Sequence, residues 1–218
     1  MASTVDTRYR FVYKPLVFAA CMVPFLWVTA VLLVGFGLLH WQWSMLDLGV
    51  DPVRRMLGIV GKSALNLLLI TLAVSPLRQL TGNARLLRLR RMLGVFAFAY
   101  AFAHFMVYVG LFQNFNWSEI VKDLYKRWYI VLGFSALLML IPLAITSTNA
   151  MMRRLKRRWQ QLHYLIYPIA ILGVTHFWMQ KKKDIREALL YAAILAVLLG
   201  FRLRNRYLTR RRGAALSA

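Results

Sequence analysis

The chain alternates long apolar stretches with short polar ones. Six stretches approach the ~20 apolar residues that a helix needs to cross a ~30 Å hydrocarbon core. They cover residues 16–39, 56–74, 92–112, 128–146, 162–179 and 188–203. The last is short, and Arg202 and Arg204 near its end are expected to snorkel their heads to the interface, as is Lys62 in the second. The polar segments between them (42–55, 75–91, 113–127, 147–161, 180–187) are too short for a folded domain, and no internal repeat stands out. The first run follows Arg8, Arg10 and Lys14, exceeds the length of a signal-peptide core and ends without a small-x-small cleavage pattern. It reads as an uncleaved first helix. The pattern predicts an all-α membrane protein, one six-transmembrane-helix bundle over residues 1–218.

Composition agrees: 60% of the 218 residues are hydrophobic, with a mean hydropathy of +0.55. Charge needs more care, because 29 Lys+Arg against 7 Asp+Glu give a net +22. That balance could mean nucleic-acid binding. The positions of the charges argue otherwise. With the N-terminus inside, three, five, five and six basic residues fall in the inside segments and nine in the outside loops, while every acid except Asp6 lies outside. This asymmetry predicts both termini in the cytoplasm. It accounts for the charge with a lipid bilayer alone, and the basic run 210–212 reads as a tail on anionic headgroups. Trp41, Trp43, Trp117, Trp128 and Trp178 lie near helix ends, as an aromatic belt would.

Histidines inside a membrane are costly and are candidates for function. In this orientation the third and fifth segments both run from inside to outside. His104 lies 13 residues past Arg91 and His176 14 residues past Leu162. At ~1.5 Å per residue both imidazoles reach a depth of ~20 Å. Two imidazoles from two helices at one level are what a bis-histidine haem requires, and bundle cores are usual cofactor sites. The plainer alternative is that each histidine simply hydrogen-bonds across the bundle. Small and aromatic neighbours (Ala99, Ala101, Ala103, Phe105, Gly173, Phe177) leave room for a ring.

His163 precedes His176 by 13 residues, ~20 Å lower on the same helix. The third segment has Arg90 and Arg91 at that depth, not a histidine. A second haem, or a flavin or quinone site using His163 and the arginines, both stand open. His40 closes the first segment on the outer side and reads as interfacial. The remaining chemistry is sparse. Cys21 is alone in an apolar run, which excludes four-thiolate iron–sulfur clusters. There is no GxGxxG, P-loop or HExxH. Thr146-Ser147-Thr148-Asn149 reads as helix-end capping.

Several strings carry a family resemblance: Asp51-Pro52-Val53, Gly61-Lys62-Ser63-Ala64-Leu65, Ser75-Pro76-Leu77, Arg90-Arg91-Met92-Leu93-Gly94, Thr146-Ser147-Thr148 and Arg158-Trp159-Gln160-Gln161-Leu162-His163. From about Val53 to Trp178 and on through the last segment, the chain resembles the MsrQ (YedZ) family. These are haem-binding membrane subunits of the bacterial periplasmic methionine-sulfoxide reductase system, in the ferric-reductase/NADPH-oxidase-like superfamily. The resemblance implies a six-helix bundle in the inner membrane with His104 and His176 as axial ligands of haem b. It implies a cofactor role for His163 on the cytoplasmic side and FMN as a further cofactor.

The function expected is electron transfer from quinol, or from a cytoplasmic flavin reductase, to a periplasmic molybdopterin enzyme that reduces methionine sulfoxide in oxidised proteins. Members of the wider superfamily carry a cytoplasmic flavin and nicotinamide domain. This sequence ends shortly after the sixth segment, so a separate donor is expected. The rivals are a stand-alone metalloreductase and a cofactor-free transporter.

Overall fold

The computed structural model describes residues 9–35, 51–84, 86–181 and 184–216; His40, Trp41 and Trp43 lie outside them. Every regular element among the described residues is helical. A π-helical turn (Tyr9–Tyr13) leads into α1 (Lys14–Gly35), followed by α2 (Pro52–Thr81) and α3 (Leu86–Val107), which ends in a π-turn at Tyr108–Phe112. Next come a short α4 (Trp117–Lys126), α5 (Trp128–Ile145), and the small α6 (Asn149–Leu155) and α7 (Arg157–Leu162). A 3-10 turn (His163–Leu165) then starts α8 (Ile166–Gln180), and α9 (Arg186–Leu216) closes the chain.

Among the described residues, five helices are long and apolar enough to cross a bilayer: Phe11–Leu33, Pro52–Thr81, Leu86–Phe112, Trp128–Ile145 and Arg157–Gln180. The protein is a multi-pass membrane protein. The sixth expected segment lies within α9, which runs far past 203 and carries Arg202 and Arg204 inside its length. The two ends of the bundle are labelled outer and inner by the orientation expected from the loop charges.

Several helices outrun their apolar stretches because polar residues cap them. Asp51 accepts a bond from the Arg54 amide at 2.9 Å and Pro52 takes the first turn, so α2 begins before its apolar run. It ends at Gly82, whose φ of 66° provides the left-handed cap. At the inner end of α5, the hydroxyls of Thr146 and Ser147 bond back to the Pro142 and Leu143 carbonyls, both at 2.6 Å. Thr148 accepts from the Met151 amide at 3.3 Å, capping α6 as the sequence led us to expect.

Two prolines make tertiary contacts out of local defects. Pro76 lies inside α2 and has no N–H to give the Leu72 carbonyl. Arg202 of α9 donates to that carbonyl at 2.7 Å. Beside Pro24 in α1, the Phe25 amide donates to the Tyr100 hydroxyl at 2.8 Å, and that hydroxyl donates to the Cys21 carbonyl at 2.6 Å. A tyrosine of α3 is thus inserted into the ladder of α1 at its weak point.

The core is aliphatic. Leu72, Ile169 and Val60 are its largest fully buried side chains, and α2 packs on α3 as α5 packs on α8. Those two helix pairs carry the site.

Candidate functional site

The structure brings His104 and His176 together. Their ring centroids lie 6.1 Å apart with the planes at 85°. Each ring is held through the same atom. His104 Nδ1 lies 3.0 Å from the Leu57 carbonyl oxygen of α2, and His176 Nδ1 lies 2.6 Å from the Tyr129 carbonyl oxygen of α5. A carbonyl only accepts, so in each neutral ring Nδ1 carries the proton and Nε2 keeps its lone pair.

Each imidazole also packs closely against a glycine. A Cβ on Gly61 would stand 2.9 Å from His104 Nδ1, and one on Gly133 2.8 Å from His176 Nδ1. Both distances are shorter than a Cβ contact tolerates, so a side chain at either position would force the imidazole to shift.

These parts belong to an internal repeat, contrary to the expectation from the apolar pattern. Gly61-Lys62-Ser63-Ala64-Leu65 recurs as Gly133-Phe134-Ser135-Ala136-Leu137, and His104-Phe105 as His176-Phe177, all at one offset of 72 residues. In both copies the carbonyl is 47 residues before its histidine. The α2–α3 and α5–α8 pairs are two versions of one unit. Gly133 and the two carbonyls were missed. The recurrent Gly-x-Ser-Ala-Leu string could have found the glycine, but it is short and its flanks differ. At the same offset Arg91 occupies the place of His163, which is why α3 has no histidine there.

His163 lies apart from this pair, in the 3-10 turn at the inner end. Its ring stacks on the Trp159 indole at 3.9 Å between centroids, and its Nδ1 lies 3.0 Å from the Trp159 carbonyl oxygen. The indole N–H in turn donates to the Thr146 carbonyl at 2.9 Å, tying the stack to α5.

Arg90 and Arg91 part company. Arg91 is exposed and bonds the Asn149 side chain of α6. Arg90 is half-buried, within electrostatic reach of Arg202, Tyr167 and His163. Arg202 does not snorkel, contrary to the expectation from sequence. It turns into the bundle, bonds the Tyr167 hydroxyl at 2.5 Å as well as the Leu72 carbonyl, and lies 5.0 Å over the Tyr167 ring. The carbonyl orphaned by Pro76 draws it inward. Its Nε is buried without a hydrogen-bond partner, and no carboxylate among the described residues pairs with Arg90 or Arg202.

At the outer end Lys62 does reach out, to Glu187 at 2.5 Å, and Lys181 joins the same carboxylate at 2.9 Å. This clamp fastens α2 and the end of α8 to the start of α9.

Residues 57–174, which span α2 to most of α8, match the model of the ferric reductase like transmembrane component family. Over 197 residues the chain is 52% identical to the protein-methionine-sulfoxide reductase heme-binding subunit MsrQ of Xanthomonas campestris pv. campestris (strain 8004), covering 88% of this chain and 90% of that one. The chain belongs to the MsrQ family. The MsrQ proteins of Xanthomonas oryzae pv. oryzae (strain MAFF 311018) and Rhodospirillum rubrum are 50% and 44% identical to it. These matches cover 95% and 92% of this chain, and 93% and 92% of the relatives. The family match covers His104, its partner carbonyl at Leu57 and both glycines, and ends two residues before His176.

Proposed function

We propose that this MsrQ-family chain is the haem-binding, electron-transferring subunit of a methionine-sulfoxide reductase, with one haem b between His104 and His176. The observation that carries the reading is the pair itself. Two neutral imidazoles present free Nε2 lone pairs, and each is oriented by a carbonyl at Nδ1, the usual arrangement of metal-binding histidines. The 6.1 Å between centroids is of the size needed for one metal ion bound at ~2 Å from each imidazole nitrogen. When bound, the haem supplies one-electron redox chemistry within the membrane.

The chain's own residues do the rest. Leu57 and Tyr129 fix the tautomers, Gly61 and Gly133 leave the space the rings occupy, and the aliphatic core keeps water from the pair. The bundle crosses the bacterial inner membrane six times with both termini in the cytoplasm, which sets the pair nearer the periplasm.

At the inner end we place the entry of electrons. His163, Arg90 and Arg202 form a cationic, aromatic-walled cluster suited to an anionic or carbonyl-bearing donor such as FMN or a quinone, presented by the membrane pool or by a cytoplasmic flavin reductase. Arg91, at the repeat position of His163, is directed to Asn149, so the cluster offers one imidazole rather than two. The acceptor is a periplasmic molybdopterin-containing subunit that reduces the sulfoxide. The outer loops are too short to build a pocket for that substrate.

His104→Ala and His176→Ala should each abolish the reducible b-type absorbance of the purified protein; wild-type haem content in both would refute the assignment. His163→Ala should keep the haem and lose its reduction by quinol or reduced flavin. Co-purification with a molybdopterin protein distinguishes this reading from a stand-alone metalloreductase.

A further inference from the structure

The segment between α3 and α5 is built around α4, a ten-residue helix with three distinct faces. One face is turned into the bundle. It buries Ile120 and Asp123, and the Asp123 carboxylate accepts from the Tyr108 hydroxyl at 2.9 Å and the Gln113 amide at 2.7 Å, and pairs with Arg127 at 3.2 Å. A second face is polar and exposed: Ser118, Glu119, Lys122 and Lys126, with Glu119 and Lys122 paired at 2.6 Å. The third is apolar and equally exposed. Trp117, Val121 and Tyr125 follow one another at four-residue intervals, and Trp128, at the start of α5, is exposed as well.

An aromatic stripe beside a charged stripe on one short helix is the pattern of a helix lying in a membrane interface. Position argues for the same occupant. Both ends of α4 join helices long and apolar enough to span a membrane, which holds the stripe at the level where those helices leave the bilayer. Trp and Tyr are the residues enriched at the headgroup boundary. The backbone is bent to place the helix there. Asn114 and Phe115 both take positive φ, 47° and 58°, in a turn closed by the Phe115 amide on the Val109 carbonyl at 2.9 Å. A bulky residue in this region is held only when its surroundings over-determine it.

We propose that α4 lies flat in the lipid headgroup layer at the outer end, with Trp117, Val121, Tyr125 and Trp128 against the acyl boundary and Glu119, Lys122 and Lys126 in water. The inference rests on the membrane fold and not on any bound haem, so it stands or falls separately from the function proposed above.

The test is nitroxide labelling of Val121→Cys, Tyr125→Cys, Lys122→Cys and Lys126→Cys, each in the full chain reconstituted in liposomes of phosphatidylcholine and phosphatidylglycerol. Collision with oxygen, which partitions into lipid, is compared with collision with a water-soluble nickel chelate. Labels at 121 and 125 should show an oxygen-to-nickel ratio several-fold above those at 122 and 126. Equal ratios overturn the proposal. So does exclusion of both reagents at 121 and 125, which is what a protein partner or a second copy on the stripe would produce. The native Cys21 is buried. If Cys21→Ala does not fold, the labels are read in the parent chain after subtracting its own Cys21 signal.

Discussion

At the scale of single residues, the site depends as much on two glycines as on two histidines. Gly61→Ala or Gly133→Ala would drive a methyl group into an imidazole edge. The ring must then leave its carbonyl, and loss of such an orienting partner typically weakens a bound metal group ~10–100-fold. Pyridine haemochrome quantitation per mole of purified protein should show the deficit in both variants. Gly58→Ala, whose new Cβ would meet nothing within 4 Å, should retain full haem. The histidines were legible in the sequence because depth is a one-dimensional quantity, counted along a helix. The glycines were not, since which residue of α2 faces His104 depends on how two helices are rotated against each other. Arg202 was misread for the same reason. Its neighbours in sequence point to the interface, whereas the bond that holds it is to a carbonyl 130 residues away.

At the scale of elements, helix defects are repaired by neighbouring helices. Removing the Tyr100 hydroxyl with Tyr100→Phe takes away the bridge between the Phe25 amide and the Cys21 carbonyl, so α1 must close up beside Pro24 or leave both groups unpaired. Leaving buried polar groups unsatisfied costs about 1–3 kcal/mol. The melting temperature of the detergent-solubilised protein should fall accordingly. The pairing of Arg202 with Pro76 can be tested by a double-mutant cycle. Pro76→Ala restores the N–H that the Leu72 carbonyl lacks, so Arg202→Met should destabilise the Pro76→Ala chain less than the wild type. Additive effects would show that the two residues act independently. The apolar stretches located α1, α2, α3, α5 and α8 well. They underestimated the length of α2 and α3, because caps and inner-end arginines extend a helix without adding hydropathy. The same approach overlooked α4, whose three faces carry no continuous apolar run.

At the scale of the whole molecule, the Lys62–Glu187–Lys181 clamp closes the bundle at its outer end. The hydrogen bond from Lys62, followed by that from Lys181, holds the Glu187 carboxyl below the usual carboxylate range. A depressed carboxylate contributes stability above its unfolded pKa of ~4.3 and loses it as pH falls through the folded value. Glu187→Gln should therefore lower the melting temperature at pH 7, and the difference from wild type should shrink in acid below pH ~4. The group is partly exposed, so the effect should also weaken in high salt.

The sequence by itself determined that this is a membrane protein, roughly where most of its spans lie, and that His104 and His176 share a level. Hydrophobic length and rise per residue are local properties that need no partner. Only the tertiary structure decided that the two rings meet, that a repeated carbonyl and glycine adjoin each one, that Arg202 turns inward, and that α4 has an exposed aromatic stripe. Those features are set by the rotation of each helix about its axis and by contacts between residues distant in sequence, and hydropathy carries no record of either.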